Sequence, residues 1–443
     1  MAATRVSGEP LGGADMSDAV GVAGRPMTAP APPAPVTARV VGLLALAMFI
    51  NYADRGSLSV SAPVLRERFA IGDGQGGLLL SAFFWSYTIA QPIAGSLAQR
   101  FDVRIVLAAG LAVWAGATML CGLANGFAAL LALRLLMGVG ESVIYPANAR
   151  ILAERAPEHL RGRCNGVISM GMCLGPTAGT LVGGLILARF GWRWVFLSLG
   201  VASLLWLLPW LTTPMPPATK LAPKARGTGP DYGELLRQRA LWGASVGQFC
   251  YSWQFYLLLT WLPLFLVRSQ HLALGAMAVI GAAVYAVQSL AALGSGTFTD
   301  LLIRRGVSAT RVRKGVVLAG VGVGGAALLM VGIGPRELMI TGLFVAGICT
   351  GMANPMVFSI GQTLSGPAAG GRWMGIQNMV GNCVGILAPM VTGFIVQATG
   401  SFAAAFITAA VLSVLGLICW GVVLGRVEPV AWRAASAARL DAT

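Results

Sequence analysis

Residues 38–62 read ARVVGLLALAMFINYADRGSLSVSA, an apolar run that carries Asn51, Asp54 and Arg55 in its second half. A helix needs about 20 residues to cross the hydrocarbon core of a bilayer, so this run is long enough. Each charged side chain inside hydrocarbon costs about 2.5–3.5 kcal/mol on insertion scales. A membrane helix that keeps an acid beside an arginine is therefore expected to face a polar cavity or other helices.

The rest of the chain is similarly apolar. Of its 443 residues, 56% are hydrophobic and 11% charged, and the mean hydropathy is +0.75. An average soluble domain carries about 25% charged residues, so a soluble protein of this size would have too few to cover its surface. The composition excludes a soluble enzyme, a fibrous protein and a disordered chain.

The apolar runs predict an all-α membrane protein with twelve transmembrane helices, arranged as two halves of six. The predicted spans are 38–62, 75–98, 103–124, 127–151, 163–188, 193–212, 240–267, 274–302, 312–333, 337–364, 372–397 and 402–425. The corresponding domains are a disordered cytoplasmic N-terminal tail (1–37), an N-terminal six-helix bundle (38–212), a cytoplasmic linker (213–239), a C-terminal six-helix bundle (240–425) and a cytoplasmic C-terminal tail (426–443).

The positions of the basic residues predict the orientation in the membrane. Cytoplasmic loops carry an excess of Lys and Arg. With both termini in the cytoplasm, 23 of the 31 basic residues fall on the inside, six on the outside and two within spans. This distribution explains the net charge of +15 without a nucleic-acid partner, and the lipid bilayer is the partner expected instead.

The residues that usually bind metals or form disulfides are sparse. The seven cysteines form no Cys-x-x-Cys pair, and most lie in apolar runs, where they are expected to pack as small core residues. Both histidines, His159 and His271, fall in predicted loops. We expect no metal site and no cofactor, and the spans contain no nucleophile–base pair that would indicate an enzyme.

Four charged residues lie well inside the predicted spans: Asp54, Arg55, Arg134 and Glu141. At 1.5 Å per residue, Asp54 is about 24 Å from the inner end of its helix and Arg134 about 10 Å from the outer end of its own. Both therefore lie at a similar level in the outer half of the membrane. Glu141 follows Arg134 by two turns on nearly the same face, about 10 Å deeper. The sequence thus predicts a charged ladder in one water-accessible chamber.

Two interpretations of these four charges stay open. They could form two structural ion pairs that tie the first span to the fourth, although buried pairs are weak stabilisers. Alternatively, the two guanidinium groups bind a carboxylate through forked hydrogen bonds. The two acids then exchange protons, so that protonation releases an arginine to hold the anion.

Asn51-Tyr-Ala-Asp-Arg55 and Arg134-x6-Glu141 resemble the major facilitator superfamily, and within it the anion:cation symporters that include bacterial galactonate, glucarate and hexuronate transporters. The resemblance covers residues 38–425. Further similar stretches are LSAFFWSY at 80–87, TWLP at 260–263 and GIQNMVGN at 375–382.

The resemblance implies proton-coupled uptake of a small organic anion, with a sugar acid as the expected substrate. Asp54 and Glu141 match the proton-carrying acids of that family, and no other coupling ion or cofactor is implied. The positions that match substrate-contacting residues are Arg55, Arg134, Tyr52, Tyr87, Gln248 and Asn378.

Two stretches, one in each half, have similar sequences and are the expected gating loops. They read GSLAQRFDVR at 95–104 and GTFTDLLIRR at 296–305. The gating residues assigned to them are Gly95, Arg100, Arg104, Gly296, Asp300 and Arg304. The first loop departs from the superfamily pattern, because Gln99 stands where an Asp is usual and Asp102 where a Gly is usual.

The prediction that combines these observations is a twelve-helix transporter, functional as a monomer, in the bacterial inner membrane. It imports a carboxylate with protons by rocking its two halves around a central cavity. The Gly171-x3-Gly-Pro176-x2-Gly179 stretch resembles a motif of superfamily antiporters, so exchange of a metabolite or drug is the alternative. A membrane sensor without transport is a third class, for which the polar segments are short.

Overall fold

The computed structural model describes residues 2, 36–71, 73–215 and 229–432. Most of the predicted N-terminal tail (3–35), part of the predicted linker (216–228) and the end of the predicted C-terminal tail (433–443) lie outside the described residues.

The regular elements of the described residues are helices. The α-helices are α1 Ala38–Arg68, α2 Asp73–Arg100, α3 Val103–Cys121, α4 Phe127–Glu141, α5 Ile144–Arg155, α6 Glu158–Phe190, α7 Trp192–Leu205, α8 Leu207–Thr212, α9 Tyr232–Leu236, α10 Arg239–Leu264, α11 Leu274–Arg304, α12 Ala309–Ile333, α13 Arg336–Asn382, α14 Val384–Thr399 and α15 Ala403–Ile418. Short π-helical turns, Phe265–Ser269 and Cys419–Val423, extend α10 and α15.

These helices confirm the predicted all-α membrane fold. Eight helical stretches of the described chain are long and apolar enough to cross a membrane, and one of them, Glu337–Thr399, is long enough for two crossings. When α4 is joined to α5, α7 to α8 and the part of α13 after its break to α14, and the short α9 is left out, the described chain forms twelve rods. α1–α8 form the first half and α10–α15 the second, with the short α9 between them.

Several predicted boundaries were wrong. The predicted gap at 365–371 is a single break at Gly366, whose φ of 58° and ψ of −172° interrupt α13. Gly95 and Gly296, which begin the two gating motifs, lie inside α2 and α11, as the predicted spans 75–98 and 274–302 also place them. The two loops start only after Arg100 and Arg304, because both helices continue beyond the apolar part of their sequence.

Short polar side chains begin several helices. Thr37 caps α1 by accepting a hydrogen bond from the Val40 backbone N–H at 3.3 Å. Asp102 caps α3 by accepting one from Arg104 at 2.9 Å, and Ser308 caps α12 in the same way. Such side chains satisfy N–H groups that the first turn of a helix leaves without partners. The Asp at 102, unexpected from the family pattern, therefore has a structural role.

The four-residue glycine repeat of α6 packs against α1. A Cβ at Gly171 or Gly179 would overlap a carbonyl oxygen of α1, at Ala45 and Ala53 respectively. A Cβ at Gly175 would lie 2.7 Å from the Tyr52 Cβ. Small residues let membrane helices approach closely. The repeat therefore fixes the distance of α1, and with it Asp54 and Arg55, from α6.

The two halves meet where α6 packs against α11 and where α13 packs against α2, α5 and α6. Large apolar side chains on the outer surface are exposed, among them Ile89 and Phe394 at 71% and 66%. In a membrane such side chains face lipid, whereas the polar residues of the spans lie between helices. We call the end of the bundle where α2 ends (Arg100) and α6 begins (Glu158) the linker end.

Gly179→Ala is expected to destabilise the protein, because the added methyl group meets backbone that cannot move independently of α1. Overpacking of this kind costs about 1–3 kcal/mol. Thermal unfolding of the purified protein in detergent measures the effect. Gly184→Ala is the matched control, since its Cβ would meet only Val60, at 3.8 Å. Equal unfolding temperatures for the two variants would contradict the packing role of Gly179.

Candidate functional site

A buried ion pair joins α1 to the end of α4. The Arg55 Nη2 donates to Glu141 Oε2 at 2.9 Å, and Arg55 Nε lies 3.3 Å from the same oxygen. The Glu141 side chain is fully buried and that of Arg55 is 12% exposed. A charged pair with two hydrogen bonds offsets much of the cost of removing both groups from water.

Aromatic rings surround the Arg55 guanidinium. Its Cζ lies 4.5 Å from the ring centre of Tyr52, 4.6 Å from that of Phe83 and 5.2 Å from that of Tyr87. Phe83 also faces the Cζ of Arg134, at 5.2 Å. Aromatic faces attract cations most strongly where water is excluded. The rings therefore hold Arg55 in place in addition to its contact with Glu141.

Asp54 and Arg134 form the second part of the charged cluster. The indole Nε1 of Trp114 on α3 donates to Asp54 Oδ2 at 3.2 Å, and both side chains are buried. Arg134 is 5% exposed, and its Nη1 lies 3.4 Å from the Met137 sulfur. Asp54, Arg55, Arg134 and Glu141 are close enough for their charges to act on one another.

The contacts of this cluster differ from the ladder that helix rise suggested. Glu141 was placed about 10 Å deeper than the arginines from helix rise alone, yet its carboxylate contacts Arg55 directly. The two side chains bridge the interval that separates their backbones. In addition, none of the four charged side chains is among the described residues that line either cavity discussed below.

A central cavity lies beside Arg55, between the two halves. Its lining includes Tyr52 from the first half and Gln248, Tyr256 and Asn378 from the second. Gln248 Nε2 donates to Asn378 Oδ1 at 2.9 Å, and Asn378 lies 3.4 Å from the Tyr87 hydroxyl. The structure thus brings Arg55 together with the uncharged residues that the sequence predicted at the substrate site, which are Tyr52, Tyr87, Gln248 and Asn378.

Sequence reasoning missed several tyrosines of this site. Tyr256 donates to Asn382 at 3.2 Å, and Tyr145 lies 3.1 Å from the Tyr52 hydroxyl. Both line the central cavity. Helical spacing offered a signal, because Tyr145 follows Glu141 by one turn and Tyr256 follows Gln248 by two.

At the linker end, Asp300 joins the halves. Its carboxylate accepts hydrogen bonds from the backbone N–H groups of Gly162 and Arg163 on α6, at 3.0 and 2.6 Å. A Cβ at Gly296, one turn earlier on α11, would overlap the Gly162 carbonyl. Gly296 and Asp300 therefore hold α11 against α6 in this conformation.

Gln99 makes the equivalent contact on the other side. Its Oε1 accepts from the Gly371 N–H at 3.1 Å and its Nε2 donates to the Pro367 carbonyl at 3.0 Å. Gly95 lies one turn earlier and packs against the Gly371 carbonyl. An uncharged amide thus takes the place of the usual carboxylate, and this contact has no net charge.

The assigned gating arginines do not join the halves. Arg100 and Arg304 are exposed, and Arg104 donates to the Leu211 carbonyl at 2.8 Å within its own half. An unpredicted arginine does join the halves, since the fully buried Arg313 donates to Glu158, the first residue of α6. The residues that flank Arg313 in the sequence do not indicate that its side chain is buried against the other half.

The sequence matches the family described as the Major Facilitator Superfamily over residues 44–311 and 306–442. It is 26% identical over 421 residues to the "Probable galactarate/D-glucarate transporter GudP" of Bacillus subtilis, covering 88% of this chain and 92% of that one. It is 26% identical over 412 residues to a "D-galactonate transporter" of Escherichia coli, covering 88% and 95%. Among solved structures, the human organic anion transporter MFSD10 matches with a TM-score of 0.69 at 17% identity, covering 86% and 99%.

Asp300→Asn is expected to loosen the linker end, because the neutral amide loses the charge-assisted bonds to Gly162 and Arg163. Cys164, only 7% exposed beside this contact, should then react about tenfold faster with a thiol reagent, the equivalent of about 1.4 kcal/mol. Alkylation followed by peptide mass spectrometry measures the rate.

Asp102→Asn is the control for this experiment, since Asn also caps helices well. Cys121, which is buried in α3, provides an internal reference in each variant. Unchanged alkylation of Cys164 in Asp300→Asn would mean that Asp300 does not hold the linker end closed.

Proposed function

The chain belongs to the Major Facilitator Superfamily, whose members are membrane transporters and not enzymes, and we propose that it imports a small hydroxylated carboxylate together with protons. It is a multi-pass membrane protein. The proposed location is the bacterial inner membrane, with both termini in the cytoplasm, so that the linker end is the cytoplasmic end.

The observation that carries the proposal is the Arg55–Glu141 pair at 2.9 Å beside the central cavity. Breaking a buried pair by removing one charge costs about 3–5 kcal/mol, because the other charge is left without compensation. If Glu141 takes up a proton, Arg55 needs a new anion. A carboxylate that enters the central cavity supplies one.

This exchange of partners couples substrate to proton. With Glu141 ionised, it occupies Arg55 and competes with the substrate carboxylate. With Glu141 protonated, Arg55 holds the substrate and the cluster keeps the same total charge. The buried charge is therefore the same when both proton and substrate are bound and when neither is bound, so both forms can change conformation at a similar cost. A form with only the proton or only the substrate bound carries an uncompensated buried charge, which makes its conformational change costly.

Asp54 and Arg134 have a different proposed role. Arg134 packs against Met137 and Phe83, which do not line the central cavity, whereas Arg55 lies against the ring of Tyr52, which does. We therefore assign Arg134 as the counter-charge of Asp54 and not as a direct substrate ligand. Asp54 then carries a second exchangeable proton. This division departs from the expectation that both arginines contact the substrate.

The far side of the central cavity favours hydroxyl groups. Gln248, Asn378 and Asn382 are uncharged amides that donate and accept hydrogen bonds, as the hydroxyls of a sugar acid require. The names of the bacterial relatives, galactarate, D-glucarate and D-galactonate transporters, describe substrates of this class. Together these features support a sugar acid.

The antiporter alternative has less support. Its sequence signal was the glycine–proline stretch around Gly175, and the glycines of that stretch are engaged in close packing against α1. Packing therefore accounts for the motif without an exchange mechanism. Measuring the direction of proton movement during substrate entry into proteoliposomes separates symport from antiport.

Glu141→Gln is expected to separate binding from coupling. The amide resembles a protonated acid, so the variant should bind D-galactonate with an affinity that no longer falls as the pH rises. Accumulation driven by a proton gradient should be lost, while exchange of labelled for unlabelled D-galactonate continues. Proteoliposome uptake with and without a pH gradient measures both activities.

Glu67→Gln on α1, at an exposed position, is the matched control and should behave as the native protein. Retention of gradient-driven accumulation in Glu141→Gln would refute the assignment of Glu141 as a proton carrier. Loss of exchange as well as accumulation would instead point to the structural ion-pair interpretation.

Arg55→Lys is expected to raise the half-saturating concentration of D-galactonate about 10–100-fold. Lysine keeps the charge but loses the planar fork and the ring contacts that fix the guanidinium. Uptake kinetics in proteoliposomes measure the change, and thermal unfolding checks that the variant is folded. An unchanged half-saturating concentration in folded Arg55→Lys would remove Arg55 from the substrate site.

A further inference from the structure

A second cavity lies between the central cavity and the linker end, and Asn148 lines it. Asn148 is 4% exposed. Within the part of the chain that the structure describes, neither its amide nitrogen nor its amide oxygen has a hydrogen-bond partner. A buried amide without partners costs about 1–3 kcal/mol, so its retention on a cavity wall calls for an explanation.

The other polar groups of this linker-side cavity come from both halves. Asn165 and Ser169 lie on α6, and Asn354 and Gln362 lie on α13. They bond across the interface, with Ser169 donating to Asn354 at 2.6 Å and Asn165 to Gln362 at 2.8 Å. Separation of the halves at the linker end would break these bonds and turn the amides toward the widened space.

A pair of aromatic rings lies on the border of the two cavities. Tyr145 of the first half and Phe358 of the second stack with centroids 4.9 Å apart and planes 24° apart. Both residues line both cavities. Parting of the rings, as the halves separate, would join the cavities into one passage from Arg55 toward the linker end.

We propose that the Asn148 cavity is a second binding site, which holds the hydroxylated end of the substrate when the linker end opens. The proposal rests on the proposed function, since it assumes a hydroxylated carboxylate released from Arg55. In the closed conformation the cavity has room for about one water molecule, so the substrate enters it only after the rings part.

The chemistry of the cavity selects hydroxyl groups and not the carboxylate. No charged side chain is among its described lining residues, so an anion would lie there without compensation. A hydroxyl donates one hydrogen bond and accepts others, which suits the donor and acceptor atoms of Asn148. The Tyr145 and Phe358 rings offer apolar faces to the C–H groups of a sugar chain. If the carboxylate is the last part of the substrate to move away from Arg55, the hydroxyl groups at the other end enter the Asn148 cavity first.

The test compares D-galactonate with hexanoate, which has the same carboxylate and no hydroxyls. Each competes with exchange of radiolabelled D-galactonate in membrane vesicles of both orientations, assigned by protease access to an N-terminal tag. Asn148→Leu removes the amide at similar volume and breaks no hydrogen bond of the described residues. Its thermal unfolding should match that of the native protein, and Asn148→Ala serves as the smaller variant if it does not.

In Asn148→Leu, the half-inhibitory concentration of D-galactonate should rise about tenfold at the linker-end face, the equivalent of about 1.4 kcal/mol. It should change less than about twofold at the opposite face, and that of hexanoate should be unchanged at both faces. Asn148→Ser, which keeps a polar group, should give a smaller rise at the linker-end face.

Three results would overturn the proposal. An unchanged Asn148→Leu would mean that the cavity holds only water. Equal losses for D-galactonate and hexanoate, or equal losses at both faces, would mean that Asn148 acts on the structure as a whole. If the native protein exchanges no D-galactonate and Arg55→Lys changes nothing, the proposed function itself has failed. If the native protein exchanges D-galactonate and the Asn148 variants behave as the native protein does, only the second site has failed and the proposed function is unaffected.

Discussion

An ion buried among membrane helices needs an opposite charge beside it, and this requirement organises the first half of the protein. Arg55 and Glu141 meet at 2.9 Å, and Asp54 lies in the same cluster with a hydrogen bond from Trp114. α1, which carries Asp54 and Arg55, packs at a distance set by the glycines of α6. A site whose charge must stay balanced is suited to exchanging one anion for another.

The same helices connect this site to the closed linker end. α6 contacts α1 through its glycine repeat and contacts Asp300 of α11 near its first turns. α13 carries Asn354 and Phe358 beside the cavities and Gly371 beside Gln99. α6 therefore contacts both the helix of Arg55 and the inter-half bond of Asp300. The charged contact of Asp300 and the neutral contact of Gln99 make the two sides of this closure chemically unequal.

Much of the fold followed from composition and spacing. Twelve apolar runs predicted the rods of the described chain, and the family comparison confirmed the fold. The cost of a charge in hydrocarbon was enough to single out Asp54, Arg55, Arg134 and Glu141 from the sequence. The differences were local: α2 and α11 each extend two residues beyond the predicted spans, and α13 breaks at a single glycine where a gap at 365–371 was predicted. Cooperative hydrogen bonding carries a helix past the end of its hydrophobic pattern.

The sequence by itself determined which residues must avoid lipid, because the cost of burying a charge or an amide depends on the residue and on its depth in an apolar run. It did not determine which of them meet. Helix rise placed Glu141 about 10 Å from the level of Arg55, whereas rotation of the helices and the reach of both side chains brought them into contact. The inter-half groups, Asn148 beside Phe358 and Arg313 on Glu158, depend on how the two halves pack, and that packing is decided only in the tertiary structure.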